Sequence, residues 1–423
     1  MKILLISKDA RKGGAAVAAR RLMEALQEKG HQAALLVQGS GDPEQGIIST
    51  GSGFFKRMMN LFRFILERLS FLPFERDPTV RFMFSPANYG EDISRRREVL
   101  DADLLHLHWV NGAFLSHASL QKLLALGKPV VWTFHDMWAM TGGCHSAVDC
   151  DRYQQQCGEC PYLKNPREKD LSRRIWKRKA GVLQGVPFTV VTPSQWLASC
   201  VRSSSMLGHC EVLAIPNPID HSRFSPSERQ QACLELGLDA EKKYILFGAA
   251  NIRNMIKGFS YFAEALRILY DSLEDPQGVE VILLGRTQGD EAGMFPFKSR
   301  TIAYTESQQQ VASLFSVAHL YAISSLLENF PNTIVESMLC GTPVAGFRTG
   351  GIPEMIRHRE DGYLAEYKSA RDLAGGMQWI LDHPDYYSLS GRARESALER
   401  FSMERSVEAY LAVYQQLLEA KQP

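Results

Sequence analysis

Glu328 and Glu336 bracket the segment Glu-Asn-Phe-Pro-Asn-Thr-Ile-Val-Glu, with seven residues between the two carboxylates. The first follows the apolar run Leu314 to Ile323 and the second opens an apolar helix that ends at Gly341. Both are therefore predicted to point into the mouth of a strand-loop-helix unit, where open α/β sheets bind ligands. An ionised carboxylate can accept two hydrogen bonds from vicinal hydroxyls, which a sugar ring and a ribose both present. Two carboxylates at this spacing suit two sugar-like groups. Glu336 has a second reading, because with Thr333 it spells the Ser/Thr-x-x-Glu capping box, whose glutamate reaches back to an orphan backbone N–H. Glu328 has no helix to cap.

Other polar loops share the pattern. The strand Ile3 to Ile6 leads to Gly13 and Gly14 and then to a helix over Ala15 to Lys29. Glycines there either close a turn or let backbone N–H groups approach an anion at a positive helix end. The Gly-x-Gly-x-x-Gly dinucleotide fingerprint is absent. The strand Tyr244 to Phe247 runs into a loop holding Arg253, Lys257 and Gly258. A guanidinium fork and an ammonium suit a diphosphate; solvated surface cations are the alternative. Gly350 and Gly351 follow the strand Val344 to Phe347. Asn332 and Thr333 bring backbone N–H groups to the start of the helix that carries Glu336, a natural phosphate seat. His135 ends the strand Val130 to Phe134 as a proton handler or a ligand to a sugar hydroxyl. His106 and His108 read as core or supporting histidines.

Cys144, Cys150, Cys157 and Cys160 fall within 17 residues. This composition matches a closed structural zinc site, with disulfides or an iron-sulfur cluster as alternatives. A closed thiolate site leaves no open position for substrate, so zinc there folds a loop. Two basic segments complete the set. Phe54 to Phe74 interleaves Lys56, Arg57, Arg63 and Arg68 with Phe, Met and Leu at helical spacing. That suits a helix lying on an anionic membrane surface, or a partly buried helix with a basic wet side. Arg173 to Lys179 reads as a solvated helix face rather than a nucleic-acid contact.

The elements that must position these residues alternate. Strand-length apolar runs at Ala33 to Val37, Leu104 to Leu107, Phe188 to Thr192, Val279 to Leu284 and Leu320 to Ile323 are separated by helical patterns. Continuous apolar strands imply parallel βαβ units covered on both faces. Pro216-Asn-Pro-Ile-Asp220 interrupts the alternation. We therefore expect two doubly wound domains, 1–217 (with a Cys-rich loop at 141–163) and 218–402, facing a cleft, and a C-terminal helix over 403–423 that docks on either one. The net charge of +1 gives no global pull toward nucleic acid. The first apolar run is too short for a signal peptide and no segment is long enough to span a membrane. A cytoplasmic location is expected, with peripheral contact at the inner membrane face if 54–74 is a surface helix.

In order, these stretches resemble the family 4 retaining glycosyltransferases of the GT-B fold, over nearly the whole chain. The resemblance rests on Glu-x7-Glu, Cys340-Gly-Thr-Pro-Val and Gly350-Gly-Ile-Pro-Glu. Trp132-Thr-Phe-His-Asp-Met-Trp, Thr141-Gly-Gly-Cys-His and Cys157-Gly-Glu-Cys-Pro are similar to a bacterial subgroup of capsule, exopolysaccharide or lipopolysaccharide assembly. The resemblance implies a nucleotide diphosphate sugar as donor, a glycan or lipid-linked acceptor, and no catalytic metal or organic cofactor. It implies that Glu336 holds the donor ribose and Glu328 the transferred sugar, with His135 beside that sugar. Asn332, Thr333, Gly14 and Lys257 then meet the diphosphate. Arg253 stands one residue closer to the lysine than in the family pattern. A sugar-nucleotide epimerase and a zinc-stapled, non-enzymatic scaffold at the membrane are the competing readings.

Overall fold

The computed structural model describes residues 1–420. The chain divides into two compact units, one formed by Met1–Asn217 with the chain from Glu404 onward, the other by Pro218–Met403. Seven parallel strands build the first sheet: β1 (Lys2–Ser7), β2 (Gln32–Val37), β3 (Ile47–Ser49), β4 (Leu104–Leu107), β5 (Val130–Thr133), β6 (Thr189–Thr192) and β7 (Val212–Ala214), in the order β3-β2-β1-β4-β5-β6-β7. The second unit holds β8 (Lys243–Asn251), β9 (Val279–Arg286), β10 (Ser299–Ile302), β11 (Leu320–Ile323), β12 (Val344–Phe347) and β13 (Gly362–Ala365), in the order β10-β9-β8-β11-β12-β13. Both are doubly wound α/β units.

The order reverses direction between β1 and β4 in the first sheet and between β8 and β11 in the second. Crevices at the carboxyl ends of such neighbours are where open α/β sheets take ligands. All four residues of β4, β5, β6, β11, β12 and β13 are buried, as expected of strands covered by helices on both sides. In the second unit two apolar clusters lie on opposite faces of the sheet, because alternate strand side chains go to opposite sides: Leu246 and Tyr321 belong to one, Ile245 and Ala322 to the other.

One local expectation changes, and two points the sequence left open are filled in. Gly248 to Asn251 continues β8 through a register shift against β9 and is not loop. The strands β3, β7, β10 and β13 add to those expected and are only three or four residues long; β10, Ser-Arg-Thr-Ile, has no buried residue. The C-terminal helix Met403–Glu419 belongs to the first unit, where Tyr414 Oη pairs with His106 Nδ1 at 2.7 Å and Tyr410 Oη with Thr133 Oγ1 at 3.0 Å.

Buried imidazoles fix an acid limit. Burial holds His106 and His117 down to about 3 and His108 well below its ordinary value. The folded state therefore refuses protons that the unfolded chain accepts as pH falls through about 6.5. The stability these groups provide is full above that value and is lost between it and the folded values. We expect the thermal midpoint to fall steadily from pH 7 to pH 5, each histidine adding up to about 1.4 kcal/mol per pH unit to the decline. A flat profile in differential scanning calorimetry would contradict this.

Candidate active site

Lys257 and Glu328 meet at the carboxyl ends of β8 and β11. Lys257 Nζ donates to Glu328 Oε1 at 2.5 Å, with both side chains partly open to solvent. Three loops are laced together to produce this contact. Ser324 Oγ donates to the carbonyls of Lys257 (3.1 Å) and Gly258 (2.9 Å), and Leu326 N donates to Ile256 O at 2.7 Å. On the other side Gly351 N donates to Glu328 O at 2.9 Å and Thr349 Oγ1 to Leu326 O at 3.1 Å. Glu328 is thus held through its backbone by neighbours on both flanks, which leaves its carboxylate to face the loop mouth.

Two glycines make the lacing possible. Gly350 has φ +56, and a Cβ there would stand 2.0 Å from Glu328 O; Gly258 has φ +63, and a Cβ would stand 2.0 Å from Ser324 O. Only a residue without a side chain fits either position. Gly350 and Gly351, expected to touch a donor, are first of all the support of Glu328.

The second carboxylate lies on the helix Asn332–Leu339. Pro331 is its N-cap, so Thr333 is already inside the first turn and the Thr333–Glu336 capping box is not formed. Thr333 Oγ1 instead accepts from Tyr321 Oη at 3.1 Å. Glu336 is buried at 7% exposure on the same helix. Burial raises the Tyr321 phenol, and the charges of both Glu328 and Glu336 raise it further, so both carboxylates act on one side chain of β11. Ile334 N already donates to Pro331 O at 2.9 Å, and Asn332 and Thr333 supply the first N–H groups of this helix.

Arg253 does not join the group. Its Nε donates to Glu291 Oε1 at 3.0 Å and its Nη2 to Asp290 Oδ1 at 2.5 Å. Glu291 is 1% exposed and also accepts from the backbone of Gln288 and Gly289. Those bonds outweigh burial and bring its carboxyl down to about 2. The guanidinium fork expected to bind a diphosphate is engaged in bracing the loop after β9. The residue spacing gave no sign of this, since the carboxylates arrive from another loop.

In the first unit Gly14 begins the helix Gly14–Glu28, after Gly13 at φ +93 with open space where a Cβ would be. His135 follows β5, half-buried, with Nε2 at 3.0 Å from His108 Nδ1. Burial lowers its pKa to about 4, so it is a neutral imidazole near pH 7. A ring of such low basicity suits hydrogen bonding to a hydroxyl better than proton abstraction. Asp136 ties the neighbouring segments: Oδ2 accepts from Trp109 Nε1 (2.8 Å) and pairs with His145 Nδ1 (2.7 Å), and Oδ1 accepts from Trp138 N (2.8 Å). His145 Nε2 in turn pairs with Ser85 Oγ at 2.9 Å. The contacts run in the order of a hydrolase triad, but Ser85 is 3% exposed and no nucleophile. The chain orients His145. Nothing in the sequence spacing pointed to this set.

On the helix Leu171–Leu183 the basic residues Arg174, Lys177 and Arg178 are exposed, as a solvated face requires, but Lys179 departs from it. Lys179 is fully buried, donates to the carbonyls of Trp138 and Thr141, and lies 3.6 Å over the Trp138 ring. Burial brings its pKa down to about 7.

Cys144, Cys150, Cys157 and Cys160 line one cavity of about 220 Å³. All four are free thiols, which excludes the disulfide alternative in this structure. Among the described residues no three His, Cys, Asp or Glu side chains are grouped to hold a metal ion. The structure thus gives no support to the closed zinc site expected from the spacing. Cys144 and Cys160 instead pack with Phe71, Phe84, Leu163 and Ile175 as small apolar residues, and Cys157 Sγ accepts from Gly142 N at 3.1 Å. Burial pushes Cys157 up to about 11 and Cys160 to about 12, so both are neutral thiols here.

Comparison with known proteins agrees with this architecture. Over its whole length the chain superposes on the whole of a sucrose-phosphate synthase from Thermosynechococcus elongatus with a TM-score of 0.70 at 18% identity. It superposes over 98% of its length on 99% of Anabaena HepE in complex with UDP and glucose, with a TM-score of 0.64 at 15% identity. These likenesses show the GT-B fold. In sequence it is 26% identical over 345 residues to D-inositol 3-phosphate glycosyltransferase from Arthrobacter sp. (strain FB24), covering 78% of this chain and 75% of that protein. It is 35% identical over 118 residues to N-acetyl-alpha-D-glucosaminyl L-malate synthase from Bacillus anthracis, covering 28% of this chain and 31% of that protein. The family model Glycosyl transferases group 1 matches residues 242–383, and the model Glycosyltransferase Family 4 matches residues 12–223. With half of its length matched by the latter alone, the chain belongs to glycosyltransferase family 4.

Proposed function

We propose that the protein transfers a hexose from a nucleotide diphosphate sugar to a glycan or lipid-linked acceptor, with retention at the anomeric carbon, in the synthesis of a bacterial surface polysaccharide. The observation that carries this reading is the Lys257–Glu328 pair beside the N-terminus of the helix bearing Glu336. When a donor enters, its diphosphate takes Lys257 and the helix N–H groups, and the hydroxyls of the transferred sugar take Glu328. Glu336 accepts from the ribose. Breaking the bond between the anomeric carbon and the diphosphate oxygen leaves negative charge on that oxygen, which Lys257 and the N–H groups stabilise as it develops. The new bond forms from the acceptor oxygen on the same face, and the acceptor proton passes to the departing phosphate. This reaction needs no protein base, in keeping with the low basicity of His135. His135 is assigned to the transferred sugar and Gly14 to the diphosphate; Arg253 is left out of the donor set. The cytoplasmic side suits eight free thiols.

A thermal-shift screen against nucleotide sugars tests the donor, because a ligand that binds only the folded state raises the midpoint. At a hundredfold excess over Kd the native state gains about 2.7 kcal/mol. The anomeric configuration of the transferred sugar, read by NMR, tests retention. Inversion would overturn that part. Conversion of the sugar without an acceptor would favour the epimerase, and no nucleotide binding by calorimetry would favour the scaffold.

A further inference from the structure

The helix Phe54–Phe71 is built inside out. A helix on a water-soluble domain packs its apolar stripe inward and turns its charges outward. Here Glu67 and Phe71 are the buried residues, and Glu67 is fully enclosed. Its carboxylate accepts from Arg68 at 2.8 Å, and Arg68 donates to the carbonyls of Arg81 (2.5 Å) and Phe84 (3.1 Å). A polar lock thus holds one face against the domain. The opposite face is exposed and apolar, with Phe54 at 73%, Phe55 at 87% and Phe62 at 56% exposure. Among the described residues 16 large apolar side chains are exposed, and 11 of them fall between residues 54 and 82. Singly scattered apolar residues need no explanation, but a contiguous patch of this kind marks an interaction surface.

The cations choose the partner. At about 100° per residue, Lys56 and Arg63 fall along one edge of the apolar arc and Arg57 along the other. Lys56 and Arg57 are exposed. Long side chains at the borders of an apolar face can reach a headgroup plane while the rings sit below it. A second copy of this helix would bring the same cation rows face to face, which repels. Five charged residues in 18 bar the helix from crossing a bilayer, and no helix among the described residues is long and apolar enough to cross one. Its position in the fold is also informative. Lys8, the first residue after β1, lies 4.9 Å over the Phe64 ring and donates to Gly112 O at 2.5 Å. The helix therefore borders the carboxyl edge of the first sheet, the edge that takes ligands.

We propose that the helix Phe54–Phe71 docks the protein in the plane of an anionic lipid bilayer, with Phe55, Met58, Met59 and Phe62 at the acyl boundary and Lys56 and Arg57 among the headgroups. Docking needs no donor, so its test is separate from that of sugar transfer. The full chain is sedimented with phosphatidylglycerol-containing vesicles and with pure phosphatidylcholine vesicles. Binding to the anionic vesicles is expected to be at least about tenfold tighter and to weaken with salt. Phe55→Ser with Phe62→Ser should lower binding to both about tenfold or more. Lys56→Glu with Arg57→Glu should abolish the anionic preference. All four sites are exposed, and an unchanged thermal midpoint would confirm that each variant is folded. Unaltered binding in both variants, or no vesicle binding by the parent, would overturn the proposal. So would a concentration-dependent dimer in ultracentrifugation that Phe55→Ser with Phe62→Ser dissolves, which would make the face a self-association surface.

Discussion

Replacing Glu328 with glutamine is expected to lower the turnover of sugar transfer by about 10²–10³-fold, the range typical of losing one preorganised electrostatic group. Lys257→Ala should fall in the same range. The two residues share a 2.5 Å contact before any donor arrives, yet both are partly open to solvent. Losing such a pair costs little stability, on the order of 1 kcal/mol or less. Activity and stability should therefore separate: turnover collapses while the thermal midpoint barely moves. The double variant should be only slightly worse than either single one, since both act in the same step and such effects are not additive. Turnover within about threefold of the parent in either single variant would place the chemistry elsewhere.

Gly350→Ala should be almost as damaging to activity without touching a polar side chain. At φ +56 an alanine pays roughly 1–2 kcal/mol for the left-handed backbone. Its Cβ would also stand 2.0 Å from Glu328 O, so the Glu328 segment must shift to admit it. A displacement of about 1 Å in a reacting constellation is enough for a 10²-fold loss. Gly375→Ala supplies the control. That glycine lies in the helix Ala370–Leu381 with nothing within 4 Å of a built Cβ, and the change should stabilise by up to about 1 kcal/mol. Chemical denaturation and steady-state kinetics on the two variants check both statements. Normal turnover in Gly350→Ala would show that the Glu328 loop is not held for catalysis.

Residue order alone carried the central strands and the carboxylate pair. Leu104 to Leu107, Leu320 to Ile323 and Val344 to Phe347 are continuous apolar runs, and the structure forms β4, β11 and β12 over those same residues. Glu328 stood out because no local structural duty accounted for it. What escaped depended on contacts between distant segments. Arg253 looks like a phosphate ligand until Asp290 and Glu291 arrive from the loop after β9. Gly350 looks like part of a donor loop until the main chain of Glu328 is seen beneath it. The Thr333–Glu336 pair has the spelling of a capping box, but a helix start displaced to Pro331 removes that role. The cysteine spacing suggested a ligand set, whereas burial among Phe71, Phe84 and Ile175 turned two of the thiols into core.

The return of the last helix to the first unit has a consequence for biosynthesis. Tyr410 and Tyr414 close the hydrogen-bond chain of Thr133 and His106 beneath β4 and β5, yet they leave the ribosome after the whole of Pro218–Met403. While the second unit is being made, the nascent first unit must wait with those buried polar groups uncapped. Chains released early, without the final helix, would carry a complete second unit beside an unfinished first one and would be natural targets for proteolysis.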